Sequence, residues 1–137
     1  MIRELTEPEL VEEGERLGRE LSPRSILALE GELGSGKTTF ARAVVRGLGV
    51  TEAATSPTYS LVHVYPGRRG PVFHVDCYRL RHPDEAEDLD WETLLRDGDA
   101  IIVEWPERAG AWMPRPTRRF RLHHLADEAR RGLEDAD

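Results

Sequence analysis

Ser25-Ile26-Leu27-Ala28-Leu29-Glu30-Gly31-Glu32-Leu33-Gly34-Ser35-Gly36-Lys37-Thr38 reads as a short apolar strand running straight into a glycine-rich loop. The second half matches the pattern G-x-x-x-x-G-K-[ST]. Phe40, Ala41, Val44, Val45 and Leu48 then mark one face of a helix that Gly47 and Gly49 bring to a close. Strand, loop and helix in this order are the context a phosphate-binding loop requires. Gly31, Gly34 and Gly36 permit backbone conformations and a close approach that a side chain would block. The segment Glu32, Leu33, Gly34, Ser35, Gly36, Lys37, Thr38 and Thr39 is therefore expected to cradle nucleotide phosphates with backbone N–H groups at the positive end of the helix. The Lys37 ammonium would reach the β and γ groups, and the Thr38 hydroxyl would face Mg²⁺. Lys37 is also the single lysine among 19 basic residues. A chain that otherwise uses arginine keeps a compact ammonium on a flexible stem where a planar guanidinium would not fit among crowded phosphate oxygens.

Outward from the loop, Thr6-Glu7-Pro8-Glu9 reads as a capping box opening an amphipathic helix, with Leu10, Val11, Gly14, Leu17, Gly18 and Leu21 at helical spacing. Residues 60–65 and 72–76 read as strands that form a hairpin or neighbour one another across the turn-forming residues 66–71. Residues 83–95 predict an acidic surface helix or a pair of short helices, and 100–103 a buried strand. Residues 118–125 are a last strand, followed from about 126 by a charged tail expected to fray. The order of elements predicts a single P-loop ATPase domain over residues 1–137, a three-layer α/β fold with a mostly parallel central sheet.

The formal charge of −7 and a pI near 5.3 argue against a protein that grips nucleic acid by itself. Arg115, Arg118, Arg119 and Arg121 cluster locally and read as a solvated charged edge. Cys77 is the sole cysteine, so no intrachain disulfide is possible, and the thiol suits a reducing compartment. The first twenty residues lack an apolar run, which points to a cytoplasmic protein with no membrane span.

Magnesium takes oxygen ligands, and two acids sit at strand ends beside the loop: Asp76 after residues 72–75 and Glu104 after 100–103. Both are candidate metal ligands and, with Lys37, candidate catalytic residues. Thr55-Ser56-Pro57-Thr58, between the loop helix and the next strand, occupies the place of a γ-phosphate switch, with Ser56 and Thr58 as its hydroxyls. The five histidines match no zinc pattern. His74 either fills a strand face or orients the neighbouring Asp76. Trp105 and Trp112 read as packing groups, with contact to nucleotide or a partner as the second reading for Trp105.

Taken in order, the loop, Ser56-Pro57-Thr58-Tyr59, His74-Val75-Asp76-Cys77-Tyr78-Arg79-Leu80 and Glu104-Trp105-Pro106-Glu107 closely resemble the motifs of the TsaE family over about residues 5–110; the region beyond Gly110 carries no motif that aligns. The resemblance implies an ATPase accessory protein of tRNA N6-threonylcarbamoyladenosine biosynthesis. Such proteins bind the TsaB and TsaD pair and use ATP hydrolysis to support its turnover, TsaD carrying out the transfer itself. It further implies Thr38 and Glu104 as metal-site residues, Lys37 as the phosphate lysine and residues 56–58 as the switch. Asp76 matches the family's H-x-D-x-Y-R-L acid, with metal binding and catalysis both open to it. Glu104 would hold Mg²⁺, polarise the attacking water, or both. An accessory ATPase docking on a protein complex needs no strong tRNA contact of its own, in keeping with the acidic charge. The chain has no glutamine to orient water, so hydrolysis is expected to be weak alone and completed by a partner-supplied group.

Three rivals share the loop. A small-molecule kinase needs an acceptor pocket and an arginine-bearing lid, for which the chain is short. A GTPase reads guanine through N-K-x-D, which a chain without asparagine and with no lysine but Lys37 cannot contain. A module that senses nucleotide without hydrolysing it differs from the favoured reading in turnover alone.

Overall fold

The computed structural model describes residues 1–52 and 61–137. The expected switch, with Ser56 and Thr58, and the first residue of the strand expected at 60–65 lie outside them. The chain opens with strand β1 (Ile2–Thr6) and helix α1 (Glu7–Glu20), then β2 (Ser25–Gly31) and α2 (Lys37–Gly47). The hairpin β3 (Val62–Pro66) and β4 (Pro71–Asp76) follows. A 3-10 turn at Pro83–Leu89 and helix α3 (Trp91–Asp97) lead to β5 (Ala100–Glu104), and a second 3-10 segment, Pro106–Trp112, leads to β6 (Arg118–His124) and β7 (Arg130–Asp135).

Among the described residues these strands form one sheet in the order β1-β7-β6-β2-β5-β4-β3. The pairings of β2 with β5, β2 with β6 and β4 with β5 are parallel. Those of β1 with β7, β6 with β7 and β3 with β4 are antiparallel. The sheet is therefore mixed, which corrects the expectation of a mostly parallel one: a parallel centre is flanked on each side by an antiparallel pair or hairpin. The frayed tail is corrected with it. Residues 130–135 form β7, which holds Leu133 at 1% exposure opposite Leu122 and also receives β1.

Alternation along the strands divides the apolar residues into two clusters on opposite faces. Leu27, Leu29, Val72, Ala100 and Ile102 pack with Leu10 and Leu17 of α1 and Phe40 and Val44 of α2. Phe73, Val75, Ile101 and Val103 pack with Trp91 and Leu94 of α3 and Ala86 and Ala109 of the 3-10 segments. β5 is buried at every residue, as a central parallel strand between two layers must be. β6 alternates differently: Phe120 and Leu122 enter the first cluster, while Arg119 and Arg121 stand half-exposed and pair with Glu30 at 3.0 and 2.8 Å. Arg118 pairs with Asp135 at 3.1 Å, so three of the four arginines expected on a solvated charged edge are part-exposed there, and each is ion-paired, which the sequence reading did not foresee.

Helix α1 starts where the sequence placed it. The Thr6 N–H donates to Glu9 Oε1 at 2.9 Å and Thr6 Oγ1 accepts from the Glu9 N–H at 3.3 Å, a complete capping box. Its glycines let α1 lie against α2: a Cβ on Gly14 would come within 2.6 Å of Ala43 Cβ, and one on Gly18 or Gly47 would overlap the Val44 or Glu15 carbonyl. Gly47→Ala is therefore expected to destabilise the protein by about 1–3 kcal/mol, despite alanine's better helix propensity, because the helix pair must move apart. Thermal unfolding of the variant would read this, and an unchanged or raised midpoint would contradict the crossing described.

Candidate functional site

The central parallel strands all end at one side of the sheet, and in a sheet with helices on both faces ligands collect there. β2 ends in the glycine loop. Gly31 has φ +143°, and a Cβ on it would lie 2.5 Å from the Leu122 carbonyl oxygen. Gly36, at φ +106°, is the N-cap of α2 and offers no side chain to its first turn. The N–H groups of that turn have no acceptor within the helix, which leaves a concave, positively polarised face suited to an anion.

Lys37 begins α2 yet is 4% exposed. Its Nζ donates to the carbonyls of Gly31 at 2.5 Å and Glu32 at 2.7 Å, and lies 4.1 Å from the centre of the Trp105 ring. Burial pulls its pKa below the ordinary lysine value, opposed by the charges of Glu104, Glu107, Asp76 and Glu32.

Register does the rest. Leu29 and Asp76 both pair with Glu104 across β5, so the two acids emerge side by side beyond the loop. Glu104 is 2% exposed and divides its oxygens between two elements. Oε1 accepts from Thr38 Oγ1 at 3.0 Å, and Oε2 faces His74 Nε2 at 2.5 Å. Burial pushes the Glu104 carboxyl upward, but the His74 bond and charge, the Thr38 bond and the Lys37 charge together outweigh it, so it lies below the ordinary glutamate range. Thr38 and Glu104 thus place two hard oxygen donors together at the helix start, the chemistry a magnesium ion takes when phosphate and water complete its shell. Among the described residues no group of three or more His, Cys, Asp and Glu gathers for a metal, so protein ligands alone would not fill such a shell. Asp76 is half-buried, and its Oδ1 accepts from the Tyr78 N–H at 3.0 Å. Burial pushes the Cys77 thiol up to about 12, which removes it as a nucleophile.

A cleft of about 400 Å³ joins these groups. Of the expected loop residues, Leu33, Gly34, Gly36, Lys37, Thr38 and Thr39 line it, together with Asp76 and Glu104. Glu32 and Ser35 do not. Glu32 presents its carbonyl to Lys37, and Ser35 is fully buried with Oγ 3.5 Å from Lys37 Nζ.

The other lining residues include Trp105, whose contact with nucleotide or a partner was the second reading of the sequence, and several that the sequence reading did not single out for the site. Trp105 and Tyr78 form one wall, 5.1 Å apart between ring centres. Glu7, Leu10, Glu128, Ala129 and Arg131 also line the cleft, brought there by the start of α1 and the turn into β7. His74 acts on Glu104 and not on Asp76, two residues along its own strand: the register pairs His74 with Ile102 and Asp76 with Glu104, so all four share one face and the imidazole reaches Glu104 diagonally across the strand pair. No signal in the sequence set that pairing.

Beside the loop, Glu30 carries a testable charge effect. Its burial raises the carboxyl pKa, and the hydrogen bonds and charges of Arg119 and Arg121 lower it further than burial raises it, leaving it below the ordinary 4.5. A depressed folded value means stability that is fully present above the unfolded pKa and lost as pH falls through the folded one. Glu30→Gln should therefore be less stable than the parent at pH 6, with the gap shrinking below about pH 4.5 as Glu30 itself protonates. Urea midpoints at the two pH values check this, and a gap that widens in acid would contradict the pairing.

The strand–glycine loop–helix unit, with acids from two neighbouring parallel strands at its mouth, defines the class: an α/β protein built around a phosphate-loop-type site. A sequence model of the family described as Threonylcarbamoyl adenosine biosynthesis protein TsaE matches residues 5–132, and the chain belongs to the TsaE family. The match runs through β6 into β7, so the segment beyond Gly110 is part of the family pattern even though it carried no recognisable motif.

Curated relatives named tRNA threonylcarbamoyladenosine biosynthesis protein TsaE include those of Streptomyces coelicolor, 47% identical over 69% of this chain and 65% of its own length, and Treponema pallidum, 36% identical over 83% and 84%. That of Bacillus subtilis is 33% identical over 79% of this chain and 67% of its own length. The crystal structure of YdiB from Bacillus subtilis superposes with a TM-score of 0.70 at 25% identity, covering 97% of this chain and 84% of that one. Among the described residues no helix is long and apolar enough to cross a membrane.

Proposed function

We propose that this protein is a cytoplasmic, magnesium-dependent ATPase that serves tRNA N6-threonylcarbamoyladenosine biosynthesis by acting on the TsaB and TsaD proteins. The observation that carries the reading is the hydrogen bond from Thr38, in the first turn of the loop helix, to Glu104 at the end of β5. It ties the phosphate cradle to a carboxylate that is charged at neutral pH. The family relationship supports the pathway, and the names of its curated relatives point to its product.

In this reading the loop amides and Lys37 hold the phosphates, with the Lys37 ammonium exchanging its Gly31 and Glu32 carbonyls for phosphate oxygens. Thr38 and Glu104 would hold Mg²⁺, which supplies charge neutralisation on the β and γ oxygens when bound. Asp76, half-buried and paired with Glu104 in the strand register, would share in metal binding or receive a proton from an attacking water. The base and ribose would lie against Leu10, Ala129 and Arg131, which line the same cleft. Without a glutamine or asparagine to orient water, full turnover requires a group from the partner complex.

The test is phosphate release from ATP with and without purified TsaB and TsaD. Stimulation by the pair, dependent on Mg²⁺, is expected. Tight ATP binding with no turnover under either condition would instead make the protein a nucleotide-sensing module, and absence of both stimulation and complex formation would overturn the pathway assignment.

A further inference from the structure

β6 ends at His124, beside the apex of the glycine loop. Gly31 pairs with Leu122, so β6 runs alongside the strand that feeds the loop and delivers His124 two residues further on. His124 Nε2 lies 2.8 Å from the Leu33 carbonyl oxygen. A carbonyl oxygen only accepts, so Nε2 carries the proton and donates in either charge state of the ring. The ring also stands against Gly34, where a Cβ would come within 3.7 Å of His124 Cε1. Nothing about the Leu33 side chain anchors this apex, for it is 64% exposed. The other bonds of the loop lie below it, from the Ser35 N–H to the Glu32 carbonyl at 3.1 Å and from Lys37 to the Gly31 and Glu32 carbonyls.

We propose that His124 is a positioning residue for phosphate binding: by holding the Leu33 carbonyl away from the cleft, it turns the Gly34 N–H into it. The peptide unit is planar and trans, so its C=O and N–H point in opposite senses, and fixing one direction fixes the other. The loop separates two concavities. His124 lines one of them, with Glu32 and Arg121, and does not line the main cleft, whereas Gly34 does. Glycine accepts either sign of φ, so without the tether the Leu33-Gly34 peptide is free to flip, presenting a carbonyl oxygen to the anion in place of an N–H donor. The proposal rests on reading the loop as a phosphate site.

Calorimetric titration of ATP, ADP and adenosine into the parent, His124→Ala and His124→Gln tests both readings separately. His124→Ala should weaken ATP and ADP by roughly three- to tenfold, the size of one hydrogen bond, while leaving adenosine affinity and the melting temperature unchanged. The glutamine amide can donate to the same carbonyl, so His124→Gln should recover at least part of the loss. Equal ATP affinity in parent and alanine variant, an equal loss for adenosine, or no recovery by glutamine would overturn the role of His124. A parent protein that binds no ATP would instead overturn the phosphate-loop reading beneath it.

Discussion

Replacing Lys37 with alanine is expected to weaken ATP binding by at least about a hundredfold in calorimetry. Hydrogen bonds to charged groups contribute about 1.5–3 kcal/mol each, and two such contacts with phosphate oxygens sum to a loss beyond about 3 kcal/mol, or two decades in affinity. The side chain lies buried between the Gly31 and Glu32 carbonyls and the face of Trp105. Arginine should rescue poorly. Its planar fork cannot reproduce a compact ammonium that donates to two loop carbonyls and sits 4.1 Å from an aromatic ring centre. Circular dichroism would confirm that the variant folds, since deleting the ammonium leaves two loop carbonyls without their donor. Unchanged affinity would overturn the phosphate-loop reading as a whole.

Glu104→Gln should separate binding from chemistry. Glutamine keeps the volume and the acceptor for Thr38, so ATP affinity should stay within roughly threefold of the parent, while partner-stimulated phosphate release falls by roughly a hundredfold or more, the range for loss of a positioned acid–base or metal-holding group. Glu104→Ala should show the same kinetic loss with lower stability, because His74 and Thr38 both lose a buried acceptor. Single-turnover phosphate release with TsaB and TsaD present measures the effect. Full release by Glu104→Gln would remove Glu104 from the mechanism and direct attention to Asp76, which stands opposite it in the strand register.

The two variants differ in what they probe. Lys37 belongs to a local unit, strand, loop and helix start, whose geometry follows from a few adjacent residues. Glu104 matters through a residue on α2 and another on β4, and the bonds that fix it cross from one element to another.

That difference also describes how the protein could be read. Local signals in the sequence were sufficient for the Thr6 capping box, the apolar face of α2, the β3–β4 hairpin and the doubly buried β5, because each depends on periodicity or on turn and cap chemistry within a short window. Asp76 and Glu104 were legible as acids ending apolar runs. The strands β1 and β7 were not. Ile2–Thr6 is short and mostly polar, and Arg130–Asp135 buries little beyond Gly132 and Leu133, so neither shows the alternation that marks a strand. They are strands because each supplies the other's backbone partners at the edge of β6.

By itself, the sequence determined that this chain has a strand–glycine-loop–helix unit matching the pattern G-x-x-x-x-G-K-[ST], a lone lysine within it and two strand-end acids. It also carried the ordered motifs that resemble the TsaE family. Tertiary structure alone decided that the sheet is mixed, that His74 serves Glu104 and not Asp76, that Trp105 covers Lys37, and that Glu128, Ala129 and Arg131 reach the cleft. The physical reason is the range of the interactions. Caps, turns and helical faces are set by residues a few positions apart, whereas strand pairing is set by which segments can bury each other's backbone, a choice no short window of sequence contains.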